Sequence, residues 1–323
     1  MELSHTSNED NNEDMSGSVE SQKKEPDYWK WVAFGFIALF VFTQFFEVTI
    51  RLRYGFGEKG KAQVVQGQGG GDLKDSFLPR DGVRLPVQWG DIGKKMVEAG
   101  VIDREKLEAV YEARGGLDED VRKLLESTDI EDLVMNEENS AVLLNFLWAF
   151  GLSNKNRILE EGPMTDARYG GDASRFASTG GWPLAKGNVM DHFSAHAFVT
   201  LTPAEQERVE RVSQNIYRPC CGNSTYFPDC NHGMAMLGLL ELLASRGASE
   251  EEMYRIALQV NSYWFPDTYR TIAKYFEKRG VELSALDPKE VLGSAYSSGQ
   301  GYQQILKEVE PPKVQSGGGG CGI

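Results

Sequence analysis

The punctuation of this chain is that of helices, and it leaves little room for a sheet. Thr202-Pro-Ala-Glu205 and Ser249-Glu-Glu-Glu252 both match a capping box, in which a hydroxyl and a carboxylate three residues later satisfy free amides at a helix start. Pro203 adds the residue favoured at the first helical position, so a helix is predicted after each box. Asp91 caps a predicted helix carrying Ile92, Met96 and Val97 that stops at Gly100. Asp103 opens the next, with Leu107 and Val110 inward, and Asn136 opens an apolar stretch ending near Gly151. Residues 233–245 and 267–279 read as further helices, the second after the break at Pro266. Strand-like alternation is weak throughout. The expectation is one compact, mostly α domain over residues 88–309. Residues 162–187 are its exception, a long Gly-rich loop of the kind that covers or helps form a site.

The flanks carry different signals. Residues 1–27 are acidic and almost without apolar side chains, which predicts disorder. Residues 28–50 follow with an uncharged core from Trp31 to Phe46, Lys30 and Glu47 at its ends, and Tyr28, Trp29 and Trp31 as an interfacial belt. This segment reads as a single N-terminal transmembrane helix, with the lipid bilayer as its partner. Residues 51–87 read as a flexible Gly-rich linker, and residues 310–323 as a second flexible Gly-rich tail, which carries Cys321. Lysines precede the apolar segment and both arginines and lysines follow it, so charge alone tips the domain weakly toward the cytoplasm. A short tail, one signal-anchor helix and a long domain are instead the plan of an exported domain, and that placement is the expectation adopted. A formal charge of −14 with no clustered basic surface excludes nucleic acid as a partner, while a protein partner stays open.

Chemistry concentrates late in the chain. Of four cysteines and four histidines, Cys220, Cys221, Cys230, His192, His196 and His232 fall within residues 192–232. These side chains bind borderline and soft metals. His192 and His196 have the spacing that puts two imidazoles on one helix face, with Asp191 beside them as an acceptor for a ring N–H. The residues between are Phe193, Ser194 and Ala195, so the glutamate of a zinc-protease helix is absent. Cys230 and His232, two apart, belong to a loop or helix entrance, with Asp229 or Asn231 as the expected N-cap. Near the positive end of the dipole a thiol acidifies and a histidine stays neutral, the states that metal binding needs.

Two chemistries compete on these residues. In the first, the cysteines join the histidines around a zinc or copper ion, with Met190, Met234 or Met236 as soft ligands that favour copper. In the second, Cys230 forms a structural disulfide with Cys220 or Cys221. Cys321 is too close to the end for prenylation and reads as an exposed tail thiol or a mobile extra ligand. There is no C-x-x-C, no C-x-x-C-H, no phosphate loop and no nucleophile elbow. The functional expectation is therefore a membrane-anchored metal-binding protein, in metal handling or electron transfer. Its alternatives are a disulfide-stapled interaction domain at the cell surface and a metal-dependent hydrolase using Asp191 or Asp229.

Overall fold

The structure is a computed structural model and describes residues 77–79, 81–112 and 116–310, which belong to one compact unit. The expected acidic tail, transmembrane helix and Cys321, with most of the linker and of the Gly-rich tail, lie outside the described residues. Within them no helix is long and apolar enough to cross a membrane.

The unit is mostly helical, as the capping signals predict. Helix α1 (Ile92–Ala99) stops at Gly100, which takes the left-handed conformation at φ 81°. It is followed by α2 (Arg104–Glu112) and α3 (Glu119–Glu126). The capping box at Thr202 forms in both directions, with Glu205 N–H on the hydroxyl and Thr202 N–H on the carboxylate, and starts α6 (Pro203–Ser213). Ser249 caps α8 (Glu250–Trp264), and α9 (Pro266–Lys278) follows the break at Phe265. Three short helices, α10 (Pro288–Leu292), α11 (Ser294–Ser297) and α12 (Gly299–Ile305), close the unit.

The fold takes in more of the expected linker than composition suggests. Strand β1 (Val83–Leu85) pairs antiparallel with β2 (Leu133–Met135), Val83 opposite Met135 and Leu85 opposite Leu133. Leu85, Val87, Trp89 and Met135 are buried while Arg84 and Val134 face out. Three residues per strand are too few for alternation to stand out from background.

At the centre lie α4 (Ser140–Ser153) and α7 (Asn231–Ser245), each buried on nearly every side and joined in sequence by the short α5 (Arg157–Glu161), the Gly-rich loop and α6. An all-round apolar helix must be enclosed by others, and these two enclose one another in part. They cross at two glycines. A Cβ on Gly151 would stand 2.2 Å from the Met234 carbonyl, and one on Gly238 2.6 Å from that of Leu147. Three residues further along each helix Asn154 meets Glu241, donating from Nδ2 to Oε2 at 2.6 Å. Glu241 is fully buried, and burial pushes its carboxyl up to about 8 against that donation.

A candidate thiol and imidazole metal centre

The entrance to α7 carries the cysteine cluster, and a buried arginine organises it. After α6 the chain turns back on itself, Tyr217 bridging Ser224 and Thr225 N–H reaching the Ile216 carbonyl. Arg218 points into this loop and is 1% exposed. Its Nη1 donates to the Asn223 carbonyl at 3.0 Å and its Nη2 to the Phe227 carbonyl at 3.0 Å. Nη2 also reaches Asp229 Oδ1 at 2.6 Å, and Nε donates to Cys230 Sγ at 3.1 Å. A cation this deep needs such a set of partners to offset its lost hydration. Burial works against its charge, yet Cys230, Cys221 and Asp229 hold its pKa above the ordinary guanidinium value.

The N-cap of α7 is Cys230, in place of the expected Asp229 or Asn231. Its Sγ accepts from Gly233 N–H at 3.4 Å. Asp229 is occupied by Arg218 and by Asn223 Nδ2, which donates to Oδ2 at 2.8 Å, and Asn231 Oδ1 accepts instead from the adjacent His232 N–H. Around Cys230 the other thiols converge, Cys220 Sγ at 3.6 Å and Cys221 Sγ at 4.0 Å, and all three cysteines are free. The three thiols differ in acidity. Hydrogen bonds from Cys220 and Cys221, helped by Arg218 and opposed by burial, hold Cys230 well below the usual thiol range. Cys220 is raised because its proton is held in bonds to its neighbours. Hydrogen bonding with Cys220 pulls Cys221 down, but that with Cys230, together with burial, carries it up to about 11.

His232 lies in the first turn of α7, its ring packed against Trp264 and Phe265 with centroids 5.7 and 4.4 Å away. Burial lowers its pKa to about 4, so the ring is neutral at pH 7. Its Nδ1 is buried with no hydrogen-bond partner among the described residues. Among those residues, two sets of three bring ligand atoms within 4.8 Å of one another: Cys220, Cys230 and His232, and Cys221, Asp229 and Cys230. A Cys/His group able to hold a metal ion is therefore present. In the second set Asp229 already serves Arg218 and Asn223, so its role there is charge compensation.

His192 and His196 enter neither set. They meet each other instead, Nδ1 of His192 lying 3.1 Å from Nε2 of His196 in stacked rings, but on a turn and not on the expected helix. A single 3-10 turn at Val189–Asp191 ends there, and Ser194 takes φ 50°. The reason is the end of α4, whose last carbonyls lack helical partners. Ser194 N–H bonds the Leu152 carbonyl and His196 N–H that of Ser153, which pulls this segment out of helical register. His192 Nε2 also contacts the Lys186 carbonyl at 3.1 Å. Burial, and then the neighbouring His192, lower the pKa of His196. Asp191 stands in the same turn and Met190 packs against the core beside it, while Met234 and Met236 are core side chains of α7.

The Gly-rich loop does reach the centre. Ser178 N–H donates to the Asp229 carbonyl at 3.2 Å, while Trp148 of α4 donates to the Ser178 carbonyl at 2.6 Å. The rings of Tyr169 and Phe176 pack on Phe227 at 5.0 and 5.3 Å. The loop thus fixes the Phe227–Asp229 segment that holds Arg218.

Two important residues escape a sequence reading. Arg218 is a single arginine in a polar loop, and only its place two residues before the Cys220–Cys221 pair hints at it. Glu241 carried a clearer signal, a lone acid in an otherwise apolar helix. Comparison with family models, with curated proteins and with solved structures finds no match for this chain.

Proposed function

We propose that this protein binds a single zinc or copper ion at the entrance of α7, through Cys220, Cys230 and His232 with Cys221 adjacent, and serves in metal handling. The observation that carries this reading is the sulfur spacing. Zinc–thiolate bonds of about 2.3 Å in a tetrahedron separate two sulfurs by about 3.8 Å. The contacts of 3.6 and 4.0 Å at Cys230 bracket that edge. A neutral His232 with an unpartnered buried Nδ1 supplies a nitrogen already in the protonation state a metal requires. The hydrolase alternative loses support, because both oxygens of Asp229 are engaged and Asp191 lies with the separate histidine pair. The stapled-domain alternative keeps one supporting observation, the close approach of Cys220 to Cys230. On the strength of residues 28–50 the same proposal places the domain on a single-pass membrane anchor, outside the cytoplasm. Cobalt(II) titration of the reduced protein tests the site. Intense visible bands and sulfur-to-cobalt charge transfer, lost in Cys230→Ser, are expected; a featureless spectrum would count against it.

A further inference from the structure

We propose that Cys220 and Cys230 are a thiol–disulfide exchange pair open to small-molecule disulfides, and that closing their disulfide ejects the ion; this rests on the metal reading above. The two sulfurs are unequal in access and in surroundings. Cys220 is solvent-exposed, whereas Cys230 is partly buried and held by Arg218 Nε–H at 3.1 Å and Gly233 N–H at 3.4 Å. They are 3.6 Å apart, closer than Cys230 is to Cys221, whose thiol is also directed at the Asn223 carbonyl at 3.9 Å. That asymmetry divides the labour of exchange. In the metal-loaded site Cys220 is held as a thiolate ligand, and from its exposed position it attacks one sulfur of the small disulfide; a Cys220–small-molecule mixed disulfide forms and one small thiolate leaves. The Cys230 thiolate then attacks the Cys220 sulfur, forming the protein disulfide and expelling the second small thiolate. Two cysteine thiolates lose two electrons in all, the small disulfide gains them, and the two departing thiolates take their protons from solvent.

Oxidation removes two of the sulfur donors at once and leaves only Cys221 and His232, too few to hold an ion in a four-coordinate site. In the reverse direction an incoming thiol reaches the exposed Cys220 sulfur. Cys230 then leaves as a thiolate already stabilised by a guanidinium and a helix amide, which makes the disulfide easy to reduce. The metal would therefore be held under reducing conditions and surrendered under oxidising ones.

The test uses the full chain, reduced, zinc-loaded and freed of excess thiol, then titrated with oxidised glutathione. Zinc release is followed by a chromogenic chelator, free thiols are counted, and linkages are mapped by mass spectrometry after alkylation. Expected are loss of the bound zinc in step with loss of two thiols, a Cys220–Cys230 link that also forms in Cys221→Ser, and recovery of zinc binding after dithiothreitol. Zinc retained with thiols intact, or released with only glutathione adducts or a Cys221–Cys230 link, would overturn the proposal while leaving the metal reading standing. Failure of the reduced protein to take up zinc would overturn the metal reading, and the ejection with it, whatever link is then mapped.

Discussion

The guanidinium of Arg218 lies against the Cα of Gly233, so close that a Cβ there would meet Nη2 at 2.4 Å and Cζ at 2.5 Å. The missing Cβ leaves room for the cation at the N-terminal end of α7, where the helix dipole disfavours it and the Asn223 and Phe227 carbonyls, Asp229 and the Cys230 sulfur compensate. The same contact places Nε beside the Cys230 sulfur. The glycine and the arginine are thus one device, and the cluster depends on both.

Gly233→Ala is expected to displace Arg218, since a guanidinium with four partners and no exposure has nowhere to move. Overpacking of this sort costs about 1–3 kcal/mol. Loss of the Arg218–Cys230 bond should raise the Cys230 thiol pKa as well. Chemical denaturation reads the first effect and the pH dependence of iodoacetamide alkylation, in a variant with Cys220 and Cys221 replaced by serine, reads the second. Wild-type values for both would disprove the coupling.

Arg218→Met removes one partner of a largely buried ion pair and leaves Asp229 uncompensated, a change expected to cost about 3 kcal/mol. Arg218→Lys should recover little of it, because one ammonium cannot serve the Asn223 and Phe227 carbonyls, Asp229 and Cys230 together. If the lysine variant matches wild type in urea unfolding, the fork geometry is not what the site uses.

Glu241 gives the fold a pH dependence at a distance from the cluster. Its carboxyl titrates near 8 when folded against an ordinary value of 4.5, so the folded state keeps a proton that the unfolded chain releases. The stabilisation from protonated Glu241 is present in full below the unfolded value, lost as pH rises, and gone above about 8. The slope is about 1.4 kcal/mol per pH unit across that window. Glu241→Gln should flatten the stability profile there and leave the protein more stable than wild type at pH 8. Parallel profiles for the two proteins would rule this out.

At the crossing of α4 and α7, Gly238→Ala forces a methyl group to within 2.6 Å of a backbone carbonyl that has no rotamer to escape into. The helices must part, and a loss of about 3 kcal/mol or more is expected by thermal unfolding. A change below about 0.5 kcal/mol would mean the crossing is looser than described.

Much of the fold is legible in the sequence because its signals are local. Thr202, Ser249 and Gly100 act within one turn of their own positions, and each marks a helix end found in the structure. The β1–β2 pair is hidden because a three-residue strand has no periodicity and its partner is about fifty residues away. The histidine pair shows the same limit. Its spacing suits a helix, but the unsatisfied carbonyls of Leu152 and Ser153 decide its conformation, and no local pattern announces them. The convergence of Cys220, Cys221, Cys230 and His232 is foreshadowed by their nearness in sequence, while the separation of His192 and His196 from them is set by tertiary packing.

The central claim is tested most directly by elemental analysis of the full chain purified under reducing conditions, beside Cys230→Ser, His232→Ala and the double variant His192→Ala/His196→Ala. One equivalent of zinc or copper in wild type and in the double variant, lost in both Cys230→Ser and His232→Ala, is the predicted result. No stoichiometric metal in the wild-type protein, or metal that survives both of those single substitutions, would contradict it.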